Sequence, residues 1–162
     1  MILTDFSLPD PPAWRCFTDR VMGGRSDATA TLTEVQGRRA LRLAGHVSLE
    51  NRGGFVQVAL QLGERGSLFD ATHFRAVRLT GCGTAPATLI HLRSADTIFP
   101  WSHYAAAFEL PREWGEVEVP FDAFEPSGMV RGLDRSGLTR IGVVAGKKAG
   151  AVEIGVAKVE VV

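Results

Sequence analysis

From residue 28 onward, apolar and polar side chains alternate with a period of two, the mark of a strand with one dry and one wet face, and helical periodicity is hard to find. Residues 40–47 read as one strand. Residues 55–62 place Val56, Val58, Leu60 and Leu62 on one face and Gln57, Ala59 and Gln61 on the other. With the turn Glu50-Asn51-Arg52-Gly53-Gly54 between them, these two segments predict a β-hairpin. Further strands are expected at residues 76–80, 87–93, 103–110, 115–119, 139–145 and 151–162. Short strands separated by Gly/Pro turns predict an all-β sandwich or barrel, and the intervals are too short and breaker-rich for the crossover helices of a doubly wound α/β fold. Pro9, Pro11 and Pro12 make the start an extended arm, and residues 121–137, with Pro126, read as the longest connection. No internal repeat is visible. Residues 1–162 are expected to form a single domain.

Composition narrows the classes of partner. A chain of 162 residues can bury about 70% of its unfolded surface, so it needs no staple. Eighteen basic residues balance eighteen acidic ones without a run of like charge. That excludes the electrostatic footprint of a nucleic-acid or anionic-membrane binder. Near-zero net charge leaves a protein partner or self-association easy, and the oligomeric state open. Cys16 and Cys82 lack a CxxC spacing and read as reduced, buried thiols. The first twelve residues lack the basic start and apolar run of a signal peptide, and no run of eighteen apolar residues marks a membrane span. The expectation is a soluble, cytoplasmic protein.

The most distinctive stretch is Asp19-Arg20-Val21-Met22-Gly23-Gly24-Arg25-Ser26, whose paired glycines allow backbone angles and close approaches closed to other residues. It reads first as a packed loop in which Asp19 caps local amides and Met22 is largely buried. The alternative is a binding loop in which Asp19, Arg20 and exposed amides meet a ligand.

With Trp14 upstream, this stretch resembles the amino-terminal signature of the complex I intermediate-associated protein 30 family: a tryptophan, an aspartate, Val-Met-Gly-Gly and a serine, here Trp14, Asp19, Val21, Met22, Gly23, Gly24 and Ser26. A second block, residues 45–55, is similar to the family's Gly, Ser-Leu-Glu, Asn and Gly-Gly-Phe pattern, here ending in Asn51, Gly53, Gly54 and Phe55. Tyr104, Phe108, Trp114 and Val119-Pro120-Phe121 with Phe124 resemble later segments. One departure is Gly81-Cys82-Gly83-Thr84, neutral where the family pattern suggests a charged turn. The resemblance implies a jelly-roll sandwich of the galactose-binding-domain-like type and, as in mitochondrial members, a role in assembling respiratory complex I.

Other motifs carry less. Gly81-Cys82-Gly83 lacks the third glycine and the helix of a dinucleotide site, and Gly146-Lys147-Lys148 lacks the frame of a phosphate loop. His46, His73, His91 and His103 show no metal-ligand spacing, and no nucleophile elbow exists. No cofactor, metal site or catalytic residue is therefore assigned. Alternation does offer a polar sheet face: His91 and Arg93 on one strand, His103 and Glu109 on the next, with Trp101 and Tyr104 at the rim. Arg93 is the cation expected to anchor a ligand there, unless it pairs internally with Glu109. Two functions follow: a non-catalytic assembly module for a multi-subunit complex, or a carbohydrate or small-molecule binding module using that face. The residues expected to touch ligand or partner are Asp19, Arg20, Asn51, His91, Arg93, Trp101, His103 and Tyr104.

Overall fold

A computed structural model describes residues 1–162. Twelve strands follow in chain order: β1 (Ile2–Asp5), β2 (Arg15–Thr18), β3 (Asp27–Val35), β4 (Arg38–Val47), β5 (Phe55–Gln61), β6 (Ala76–Thr84), β7 (Thr88–Ser94), β8 (His103–Phe108), β9 (Gly115–Pro120), β10 (Glu125–Ser127), β11 (Leu138–Gly146) and β12 (Gly150–Val161). They make two antiparallel sheets. The first runs β3-β4-β12-β6-β9, with β1 also paired to β12, and the second runs β10-β8-β7-β11-β5-β2.

Alternation explains why the sheets face each other. Val56, Val58 and Leu60 of β5, Ile90 and Leu92 of β7, and Ile141, Val143 and Ala145 of β11 point inward. They meet Leu41 and Leu43 of β4, Val77 and Leu79 of β6, and Ile154, Val156 and Val159 of β12 in one cluster of 27 buried residues. Full burial of such a side chain stabilises by about 1.5–3 kcal/mol, and this is what holds the layers together.

Two expectations are corrected. Residues 40–47 and 55–62 do form strands, but not a hairpin: β4 pairs with β3 and β12 in the first sheet, whereas β5 pairs with β2 and β11 in the second. Between them a short 3₁₀ turn (Glu50–Arg52), with Asn51 and Arg52 at φ 53° and 59°, carries the chain from one layer to the other. The crossing sets the dry face of β4 against that of β5 from the opposite layer, so that both contribute to the same core. The proline-rich start is likewise not only an arm. β1 joins β12, β2 joins β5, and the intervening Trp14 is tied by its indole Nε1, which donates to Thr4 Oγ1 at 3.0 Å.

Candidate functional site

The outer face of the second sheet carries an open cleft of about 370 Å³, lined by residues from β2, β5, β7, β8, β11 and two loops. Its floor follows from register. Gly142 of β11 pairs with Ala59 of β5 on one side and His91 of β7 on the other. Because Gly142 has no side chain, Gln57 lies across it; a Cβ there would meet Gln57 Nε2 at 2.8 Å. The Gln57 amide thereby reaches His91 Nδ1 at 3.3 Å, and the His91 ring stacks on His103 with centroids 4.0 Å apart. Burial, with His103, Arg140 and Lys147 adding positive charge, pushes the His91 pKa down to about 3. Burial lowers His103 as well, so both rings are neutral near neutral pH. No third His, Cys, Asp or Glu joins them in a cluster able to hold a metal ion.

One wall is the signature loop. Asp19–Met22 forms a single 3₁₀ turn between β2 and β3, and its Asp19 is fully buried. The carboxylate accepts hydrogen bonds from Ser26 N (2.9 Å), Ser26 Oγ (2.5 Å), Gly54 N (2.5 Å) and Phe55 N (3.2 Å). Burial alone would raise its pKa, but these bonds outweigh it and hold the carboxyl below the usual carboxylate range. Ser26 Oγ also accepts from Ser48 N at 2.9 Å, so the two signature blocks are one hydrogen-bonded unit around Asp19. The glycines fit this unit. Gly23 adopts φ 86°, and a Cβ on Gly24 or Gly53 would collide with the Asp19 carboxylate. With its base pinned, the turn projects Val21 and Met22 into the cleft, 72% and 58% exposed. Met22 is thus not buried as expected: the apolar Val-Met step faces solvent because the polar Asp19, not the methionine, occupies the interior.

The opposite wall is the β7–β8 loop, residues 95–102. Arg93, at the end of β7, donates to the carbonyls of Thr97 (2.9 Å), Phe99 (3.2 Å) and Pro100 (3.3 Å). Its guanidinium ties this loop down and is not paired with Glu109. The loop in turn presents Trp101, 57% exposed, stacked on Phe99 with centroids 4.8 Å apart. Behind Trp101 lies Gly128, where a Cβ would meet the indole Cδ1 at 2.8 Å.

Of the expected ligand residues, the cleft brings together His91, Trp101 and His103, with Phe55 and Met22 beside them. Tyr104 is not at the rim. It points into the core, fully buried, with its hydroxyl donating to Gly132 O at 3.2 Å, because it shares the dry face of β8 with Ala106. Asp19 faces inward, Arg20 donates through Nε to Ser26 O at 2.9 Å, and exposed Asn51 lies in the turn before β5; none of the three lines the cleft. Sequence reasoning missed Phe17, Val21, Gln57, Pro100 and Arg140, all lining residues. Arg140 carried a usable signal, as a lone cation in the otherwise apolar strand β11. Burial of both thiols raises the pKa of Cys16 and Cys82, and neither reaches the cleft.

Comparison with known proteins agrees with this architecture. The family model of complex I intermediate-associated protein 30 matches residues 4–156. Among curated protein sequences none matches the chain. Among solved structures, the family 11 carbohydrate-binding module of the cellulosomal cellulase Lic26A-Cel5E of Clostridium thermocellum superposes with a TM-score of 0.76 at 14% identity, covering 100% of this chain and 93% of that one. The Clostridium thermocellum module in complex with a β-1,3-1,4-mixed-linked tetrasaccharide gives 0.68 at 14% identity over 92% of this chain and 88% of that one. An exo-β-agarase gives 0.60 at 11% identity, covering 99% of this chain and 25% of the agarase. At these identities the likeness is one of fold: a two-sheet sandwich of the galactose-binding-like type. No helix is long and apolar enough to cross a membrane.

Proposed function

The chain belongs to the complex I intermediate-associated protein 30 family, and from that premise we propose that residues 1–162 act as one non-catalytic module that grips an extended segment of a partner protein in the cleft over the second sheet. The observation that carries this reading is the chemistry of the walls. Val21 and Met22 on one side and Pro100 and Trp101 on the other are apolar, with Phe99 and Ile98 exposed beside Trp101. Apolar surface left in water gains about 25 cal/mol per Å² when a partner covers it. The aliphatic Val21–Met22 wall suits apolar peptide side chains, which a sugar's ring of hydroxyls does not resemble. The floor, built on Gln57, His91 and His103, offers directed polar atoms for a peptide backbone. By the family's description, the partner is a component of a multi-subunit assembly such as respiratory complex I.

The flat Trp101 face favours a second reading, carbohydrate binding, because a tryptophan ring stacks well on the apolar face of a sugar. Affinity capture from an extract of the native cells, with wild type and Met22→Asp as baits, separates the two. A specific set of assembly subunits retained by wild type and lost by a Met22→Asp variant of unchanged melting temperature supports protein binding. Identical capture by both baits, together with a rise in wild-type melting temperature on adding a mixed-linked β-glucan tetrasaccharide, would replace it by the sugar reading.

A further inference from the structure

The charged side chains that line the cleft and its adjoining end are of one sign, although the chain as a whole is neutral, with eighteen basic and eighteen acidic residues. Arg140 stands on the central strand β11, in register with Arg93 of β7 and Gln61 of β5, its guanidinium 5.3 Å from the centre of the Phe17 ring. Arg15 lines the adjoining end of the groove with Phe17, Val21, Gln61 and Arg140. Neither stretch of the groove is lined by an aspartate or glutamate. No ion pair engages Arg15, Arg93 or Arg140. Arg93 is committed to the loop carbonyls. By register, Glu125 shares this face only from the edge strand β10, opposite Ala105. Arg140 is therefore a half-buried cation with like-charged neighbours and no counter-charge, an arrangement that costs stability unless something outside the chain supplies the anion.

We propose that the protein segment bound in the cleft is acidic, with an Asp or Glu carboxylate seated on Arg140 beside Arg15 and apolar side chains two residues to either side lying against the Val21–Met22 wall and Trp101. This rests on reading the cleft as a protein-binding site. The two-residue spacing follows from the strand period, because side chains i−2, i and i+2 of an extended peptide point the same way. The planar guanidinium, held over Phe17, presents a fork that a carboxylate meets with two parallel hydrogen bonds.

The test uses two blocked peptides, Phe-Ser-Glu-Ser-Leu and Phe-Ser-Gln-Ser-Leu, which differ only in the carboxylate. They are titrated into the full chain while nitrogen-edited spectra follow the Arg140 side-chain Nε–H and the Trp101 indole N–H. The expected result is affinity about tenfold higher for the Glu peptide at low salt, shrinking as salt is raised. Arg140→Gln brings the two peptides to equal affinity, whatever its effect on binding of either one, whereas Arg140→Lys keeps part of the preference. Equal binding of both peptides at Trp101 overturns the acidic preference and leaves the protein-binding reading standing. If neither peptide perturbs the two reporters at up to about 10 mM, while the β-glucan tetrasaccharide does, the proposal and the reading beneath it both fall.

Discussion

Gly24 has an ordinary backbone conformation; what it lacks is room, because its missing Cβ is the space taken by the Asp19 carboxylate. Gly23 beside it is a different case, held at φ 86° by the end of the 3₁₀ turn. Gly24→Val is therefore expected to displace Asp19 from Ser26, Gly54 and Phe55 and to destabilise the fold by about 2–4 kcal/mol, leaving buried amides without an acceptor. Urea denaturation measures this, and an unchanged midpoint would contradict the assignment. The same side chain explains why the signature's aspartate makes a poor ligand residue. Its oxygens are saturated from within, so its role is to fix where Val21 and Met22 stand.

At the scale of elements, the cleft is two loops held against a sheet, and each loop has its own fastening. For the β7–β8 loop it is Arg93, so Arg93→Ala is expected to cost about 1–3 kcal/mol and to speed amide exchange in residues 95–102, with weaker ligand binding as an indirect result. Loss of affinity with unchanged stability and exchange would instead make Arg93 a direct ligand contact. The strands were legible in the sequence because β5, β7 and β8 each combine a regular alternation with a dry core face, and β11 reads as a short apolar run. The pairing was not, since alternation states which way Val56 or Leu43 points but not which neighbour it lies beside; that is decided by the whole set of strands competing for partners. Tyr104 illustrates the limit. Its phenol suits a rim or a core equally, and only the core's need for volume beneath β10 and the Gly132 carbonyl chooses. Gln57 was invisible as a site residue because its meaning depends on Gly142, over which it reaches His91 only once β5, β11 and β7 are side by side.

At the scale of the molecule, the neutral His91 makes stability depend on pH. Its folded pKa, about 3, lies below the ordinary 6.5, so on acidification the unfolded chain takes up this proton first. Stability is then expected to fall between pH 6.5 and about 3, by at most about 1.4 kcal/mol per pH unit from this group. His91→Gln should flatten that limb in pH-dependent denaturation, and an identical slope would show that the proton is bound elsewhere. A further property of the whole follows from the place of β12. The twelfth strand lies in the interior of the first sheet, between β4 and β6, and its far end also takes up β1. On a ribosome, β4 and β6 emerge well before the strand that joins them, and for that interval their inner edges offer unpaired backbone groups to any neighbouring nascent chain. Vectorial synthesis thus postpones closure of the first sheet until its central strand appears, and a holdase that shields those edges during translation would raise the yield of folded protein without touching the finished molecule.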